Sequence, residues 1–322
     1  MEPFHYLMAQ KSDTAPLASV IPAERSAQSG NTSPMRKKPF NVTLIVSSDY
    51  PHSLALAEVG EYLVYLISRC GLKAELSTNA VSGDFHNVIL CGHMLSPDTI
   101  ASLPDDTILF NSEPLADTEG WQFATGVYRK ALDRFYVWDY SQANLDKLGH
   151  RRKGLIPLLY CRGLVRRKIE REPGDTLVFY GSMTPRREQL LRSLNEAGVK
   201  TKYLYSLYGE ERDRIAFRSW AVLNLHKLDH VDVFEPVRCF YPLINRIPVI
   251  SEEFRVEPWL EAFKDSMFTL GKDTFCQRVR ELYRDPAVFQ AQCKRHAARF
   301  RMTDPLPAVR KAVSAYLGEA KG

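Results

Sequence analysis

The chain has 322 residues, 45% of them hydrophobic and 25% charged, the fractions of a globular protein with core enough for two domains of common size. Its net charge of +5 is too mild to demand an anionic partner, although nucleotide sugars, anionic lipids and nucleic acid would all fit. No stretch approaches the roughly 18 apolar residues of a membrane span, and the N-terminus lacks a signal peptide's apolar core, so a cytoplasmic location is expected. The six cysteines (Cys70, Cys91, Cys161, Cys239, Cys276, Cys293) show no Cys-x-x-Cys pair and no histidine at metal-ligand spacing. Buried free thiols in a reducing compartment are expected, and no metal site.

Residues 1–38 are rich in Ser, Ala, Pro and Gln, end in the basic run Met35–Lys38, and read as a disordered tail. Structure is predicted from there on, with residues 39–160 forming a first domain. Val42–Val46 reads as a buried strand. A helix is predicted over 52–69, with Leu56, Val59, Leu63, Leu66 and Ile67 at helical spacing and Gly71 placed to cap it. Further strands are predicted over 73–76, 88–91, 107–110, 135–137 and 156–159, and helices over 97–103, 121–132 and 141–148. In Trp138–Ser141, Asp139 or Ser141 is expected to cap the last of these helices, with Asp139 a minor site candidate. Strands alternating with helices imply a mostly parallel sheet with right-handed crossovers.

The charge run 161–175, ending Pro-Gly-Asp, breaks the pattern and is the expected interdomain linker. Alternation restarts in a second domain, 176–304. Its predicted strands are 177–180, 202–205, 221–225, 247–250 and 268–270. Helices are predicted over 186–197 and 210–219, shortly after Glu235, over about 273–300, and over 305–317. The last, within residues 305–322, is expected to return to the first domain.

Two stretches carry the chemistry. Gly181 directly follows a strand, where a glycine lets backbone amides approach a ligand, and Ser182 follows it. Thr184 is a suitable N-cap, Pro185 suits a first helical turn, and Arg186 and Arg187 add positive charge where the helix dipole is also positive. A bound diphosphate would turn that repulsion into attraction. No Gly-Lys-Ser/Thr follows, so this is not a P-loop, and no Gly-x-Gly-x-x-Gly follows either first strand. The second stretch, Ala221–Glu252, runs strand, polar loop, helix, strand. His226, Glu235 and Arg238 converge at a strand's carboxyl end and a helix N-terminus, where ligands sit in open α/β sheets. A carboxylate there suits a ribose diol, and an arginine suits a diphosphate.

These two stretches resemble the donor-binding core of GT-B glycosyltransferases of the group 1 type, and most closely their CgeB-like branch. Phe179–Ser182 through Leu190–Leu191 reproduces that branch's "FxGSxxxRRxxLL" pattern. His226 falls on the histidine of "LNxH", Arg238 on the following arginine, and Pro248–Ile250 on "PVI". Tyr241 stands where the family's second glutamate usually is, and Arg246 where its small glycine is; Glu235 is then the available ribose carboxylate. The resemblance covers roughly residues 41–300. It implies an α/β architecture of two Rossmann-like doubly wound domains facing a cleft. The donor site would use Gly181, Ser182, Arg186, Arg187, His226, Glu235, Arg238 and Tyr241, without a metal.

A nucleotide sugar would be substrate, not cofactor, and a glycan, lipid-linked saccharide or protein the acceptor. Such acceptors suggest bacterial surface polysaccharide or glycoconjugate synthesis and a place at the inner face of the membrane. Inverting transfer also needs a base for the acceptor's proton. Glu113, followed by the turn-fixing Pro114, is the leading candidate, with Asp49 and His93 as alternatives at neighbouring strand ends. Retaining transfer would need none. Loss of the second glutamate leaves room for a non-catalytic nucleotide-sugar-binding or assembly subunit. A nucleic-acid surface over 151–172 is disfavoured, because its Arg and Lys are mixed with Glu and lack interleaved aromatics.

Overall fold

The computed structural model describes residues 21–22, 38–48, 51–115, 126–166, 173–229, 234–255 and 257–319. Asp49, the first part of the helix expected over 121–132, the middle of the charge run and nearly all of the expected tail lie outside the described residues.

Two parallel sheets organise the chain. The first takes β1 (Phe40–Leu44), β2 (Ala74–Thr78), β3 (His86–Leu90), β4 (Ile108–Asn111), β5 (Tyr136–Asp139) and β6 (Lys153–Leu155) in the order β2-β1-β3-β4-β5-β6. The second takes β7 (Leu177–Tyr180), β8 (Thr201–Leu204), β9 (Ala221–Asn224), β10 (Val249–Glu252) and β11 (Phe268–Leu270) in the order β8-β7-β9-β10-β11. Every residue of β1, β3, β4, β5, β9 and β10 is buried, as parallel strands covered on both faces must be. In both sheets the strand order reverses beside the first strand, between β1 and β3 and between β7 and β9. Ligands bind at such reversal points, outside the carboxyl ends of the strands.

In the first half, α1 (Ala57–Arg69) buries Val59, Tyr62, Leu63, Leu66 and Ile67, and Gly71 closes it at φ 79°. The short α2 (Pro97–Ser102), α3 (Val127–Arg134) and α4 (Gln142–Asp146) follow, the last capped by Ser141. The second half carries α5 (Pro185–Glu196), α6 (Gly209–Ala216), α7 (Pro236–Ile244) and α8 (Glu261–Lys264).

Two expected elements are corrected by proline chemistry. The single helix expected over about 273–300 is two, α9 (Phe275–Arg284) and α10 (Pro286–Arg301). Pro286 has no N–H to continue a helix, and the Asp285 side chain accepts from Val288 N at 3.0 Å to start the second. The strand expected over 156–159 is displaced to Lys153–Leu155, because Pro157 cannot donate to a ladder. The Tyr62 hydroxyl takes over there, donating to Pro157 O at 2.6 Å and accepting from Leu159 N at 3.0 Å.

The final helix, α11 (Leu306–Glu319), crosses back onto the first half. Its approach requires Gly154, where a Cβ would stand 2.8 Å from Ala312 Cβ and 3.1 Å from the Trp138 ring. The Tyr316 hydroxyl donates to Asp106 O at 2.6 Å and pairs with His86 Nδ1 at 2.8 Å. Polar contacts, one buried and one half-buried, also join the halves. Arg212 of α6 donates to Glu58 of α1 at 2.6 Å, and Arg166 donates to both oxygens of Glu61 at 3.0 and 2.9 Å.

Candidate active site

The carboxyl ends of both sheets face one cleft of about 420 Å³. Its second-half wall begins at the turn after β7. Gly181 has φ 133°, and a Cβ there would lie 2.6 Å from Arg238 Nη2, so only glycine fits. Thr184 then caps α5 by accepting from Arg187 N, with Pro185 as first helical residue. This turns Arg187 inward, where it is 1% exposed and bound mostly to main-chain carbonyls. It donates to Leu225 O at 2.7 Å, Ser182 O at 2.7 Å and Glu235 Oε1 at 3.1 Å.

Arg238 reaches the same place from the first turn of α7. It donates to Tyr180 O at 2.9 Å and Asn224 Oδ1 at 2.7 Å, and pairs with Glu235 Oε2 at 2.5 Å. Pro242, four residues on in α7, cannot donate to Arg238 O, and the Tyr180 hydroxyl does so instead at 3.1 Å. Tyr180 and Arg238 therefore lock each other across the cleft floor.

Two buried guanidiniums thus share one carboxylate, leaving one positive charge over. Burial, reinforced by the neighbouring Arg238 charge, pushes the Arg187 guanidinium down to about 10. Burial works to raise the Glu235 carboxyl, yet Arg238 and Arg187 outweigh it and hold it below the usual carboxylate range. An anion entering beside the glycine turn would relieve the repulsion between the arginines.

The first-half wall is built from the ends of β3 and β4. His93 and Glu113 meet there, Nδ1 to Oε1, at 3.6 Å, with side chains 10% and 17% exposed. Burial holds the His93 imidazole below its usual value, against the opposing pull of Glu113. This wall offers a carboxyl group and an imidazole side by side, the two side-chain types that can take a proton from an acceptor hydroxyl. Just behind it, burial pushes the Asp139 carboxyl up to about 7, against hydrogen bonds from Asn111, Ser141 and Asn144 that favour its charged form.

Of the residues singled out in the sequence, Gly181, Ser182, Arg187, Glu235, Arg238, His93 and Glu113 line this cleft. Arg186, His226 and Tyr241 do not. Arg186 points to the other side of its helix turn, donating to the fully buried Glu252 at 2.8 and 2.5 Å and pairing with Asp229. His226 is 3% exposed; its main-chain N–H also donates to Glu252, and Nε2 donates to Glu253 O. The Tyr241 hydroxyl faces away, bonded to Asp213 and accepting from Arg166 Nε at 2.9 Å. Sequence reasoning also missed Arg212, a cleft-lining residue held by Glu58 and Asp213. Nothing in the run Gly209–Ala216 marks one arginine among several charged residues. Among the described residues, no group of three or more His, Cys, Asp or Glu side chains is placed to hold a metal ion, and no helix is long and apolar enough to cross a membrane.

No family model matches the chain. It is 27% identical over 151 residues to an uncharacterized protein of Acanthamoeba polyphaga mimivirus, covering 45% of this chain and 48% of that protein. A second uncharacterized protein of the same virus is 31% identical over 141 residues, covering 42% and 48%. The chain spans about half the length of these curated relatives. Two solved structures are similar along 87% of the chain and 100% of their own, each with a TM-score of 0.52. One is HepE of Anabaena in complex with UDP and glucose, at 11% identity; the other is WaaG, a glycosyltransferase involved in lipopolysaccharide biosynthesis, at 10%. At such identities the likeness is one of fold. The chain has the GT-B architecture of two Rossmann-like, doubly wound domains facing a cleft.

Proposed function

We propose that the protein is a glycosyltransferase that moves a sugar from a nucleoside-diphosphate sugar to an acceptor hydroxyl. The observation that carries this is the pair of buried arginines, Arg187 and Arg238, sharing the single carboxylate Glu235 beside the Gly181–Ser182 turn. Two guanidiniums on one carboxylate, at a strand-order reversal and a glycine turn, suit a diphosphate. UDP bound to the similarly folded HepE supports the same chemistry here.

In this reaction the bond from the anomeric carbon to the diphosphate oxygen breaks, and the electron pair leaves with the diphosphate. Arg238 and Arg187 stabilise that developing charge without reorganising, so the arginines do what a divalent ion would otherwise do and the reaction is metal-independent. Glu235 faces the ribose or sugar hydroxyls. Glu113, beside His93, takes the acceptor's proton if the reaction inverts. Arg186 and His226 act as scaffold through Glu252, and Tyr241 through Asp213.

Residues 176–304 form the donor domain and residues 39–160 the acceptor domain. The motifs around Gly181 and His226 resemble those of the CgeB-like branch, and this resemblance supports reading the chain as one of its members. A glycan, lipid-linked saccharide or protein acceptor fits a cytoplasmic enzyme working at the inner membrane face.

The test is to incubate the purified protein with UDP-glucose, GDP-mannose, ADP-glucose and dTDP-glucose and to measure nucleoside diphosphate release. Release from at least one donor, lost in Arg238→Met, is the expected result. Donor binding without any release under all acceptor conditions would favour a binding subunit with the same fold.

A further inference from the structure

Behind Glu113 lies a buried polar cluster that the reaction above does not use. Asp139 ends β5 and is completely buried; its register partner on β4 is Asn111, and Asn144 lies in the first turn of α4. One Asp139 oxygen, Oδ2, accepts from Asn111 Nδ2 at 2.7 Å and from Asn144 Nδ2 at 3.0 Å; the other accepts from Ser141 N at 2.7 Å. Both asparagines are thereby oriented, because each must turn its NH₂ toward the carboxylate.

That orientation grips the segment 111–115. The same two NH₂ groups donate to Glu113 O, at 2.8 Å from Asn111 and 3.1 Å from Asn144. Their oxygens accept from main-chain amides, Glu113 N at 3.3 Å and Leu115 N at 3.0 Å. Tyr140 adds a hydrogen bond to Ser112 O at 2.9 Å, and Tyr128 one to Asn111 Oδ1 at 3.0 Å. A segment without regular structure is thus fixed at Ser112, Glu113 and Leu115 and aimed at the cleft.

We propose that Asp139 is a positioning residue whose carboxylate, through Asn111 and Asn144, sets where Glu113 stands relative to the acceptor. The proposal rests on Glu113 being the base. Burying a carboxylate is costly, and a turn could be closed by apolar packing alone. What the carboxylate adds is polarity. An amide at position 139 keeps only one of the two acceptors. With its NH₂ toward Ser141 it sets donor against the Ser141 N–H at the start of α4, which carries Asn144. With its NH₂ toward the asparagines it faces two N–H groups. Relief by flipping Asn111 or Asn144 then withdraws an acceptor from Glu113 N or Leu115 N and a donor from Glu113 O.

The test compares Asp139→Asn, Asn144→Ala and Glu113→Gln with wild type, in the turnover of the four donor sugars named above. Folding is followed by circular dichroism and thermal melting. Misplacement of a catalytic group by a fraction of an ångström to an ångström should lower kcat on the order of 10- to 100-fold. We expect that loss in Asp139→Asn with donor KM unchanged, and a smaller loss of the same kind in Asn144→Ala. Wild-type kcat in Asp139→Asn, alongside a Glu113→Gln variant that has lost activity, would overturn the positioning role alone. A rise in donor KM matching the loss would overturn it too, since the residue would then act on the donor. If Asp139→Asn does not fold, wild-type kcat in Asn144→Ala overturns the role. Full activity in Glu113→Gln would remove the base on which the inference rests, while leaving donor binding intact.

Discussion

Replacing Arg238 by methionine removes one of the two guanidiniums at the glycine turn while keeping most of the side-chain volume. Two buried acceptors, Tyr180 O and Asn224 Oδ1, lose a donor. Each unsatisfied group costs about 1–3 kcal/mol, so the fold should lose roughly 2–6 kcal/mol. Glu235 is not stranded, because Arg187 remains 3.1 Å away and the glutamate side chain is 43% exposed. A loss of that size leaves a domain folded over most of the ordinary stability range, roughly 5–15 kcal/mol. Binding should suffer differently. A hydrogen bond between charged groups contributes about 1.5–3 kcal/mol, so affinity for a nucleoside diphosphate should fall at least tenfold. Calorimetric titration with the diphosphate, in parallel with urea unfolding, separates the two effects. A folded variant that binds diphosphate like wild type would refute the assignment of Arg238 to the donor.

Other predictions concern the scaffold. Arg186→Met leaves the buried Glu252 without its guanidinium, so urea unfolding should show a loss of about 3–5 kcal/mol, while donor affinity of the folded fraction stays unchanged. Arg212→Met should cost stability on the same order, about 3–5 kcal/mol, by stranding Glu58 between the halves; a loss below about 1 kcal/mol would mean that water reaches Glu58. Gly181→Ala forces a Cβ against Arg238 Nη2 in a backbone region that disfavours side chains, and should weaken diphosphate binding measured by calorimetry. Asp139 links stability to pH. Its folded value of about 7 lies above the unfolded value of about 3.9. Its contribution is therefore fully present below about pH 4 and is lost as pH rises through 7, by up to roughly 4 kcal/mol. The unfolding free energy of wild type minus that of Asp139→Asn should fall across that window, and a flat difference would contradict the shift.

Much of the architecture is legible in the sequence because it depends on local chemistry. Fully apolar runs such as Val88–Leu90 and Ala221–Leu223 mark strands buried on both faces, and Gly181, Thr184 and Pro185 mark a strand-to-helix turn by their own conformational limits. Pro157 and Pro286 moved element boundaries for the same local reason. The long-range pairings are a different matter. Arg186 and Arg187 are adjacent and chemically identical, yet one joins Glu252, 66 residues away, and the other turns into the cleft. Helix geometry places consecutive residues about 100° apart, so one of two neighbours must face elsewhere, but only the position of β10 decides which. Glu113 and His93 come together because β3 and β4 are adjacent in register. The clamp behind Glu113 likewise exists only once the β4–β5 register sets Asn111 opposite Asp139.

The most direct measurement titrates the protein by calorimetry with UDP, GDP, ADP and dTDP, each beside its parent nucleoside, at physiological salt. If Arg187 and Arg238 form a diphosphate site, at least one diphosphate binds tenfold or more tightly than its nucleoside, a difference of about 1.4 kcal/mol or greater, and Arg238→Met removes that advantage. If no diphosphate binds better than its nucleoside, the cleft is not a nucleoside-diphosphate site and the proposed glycosyl transfer has no donor.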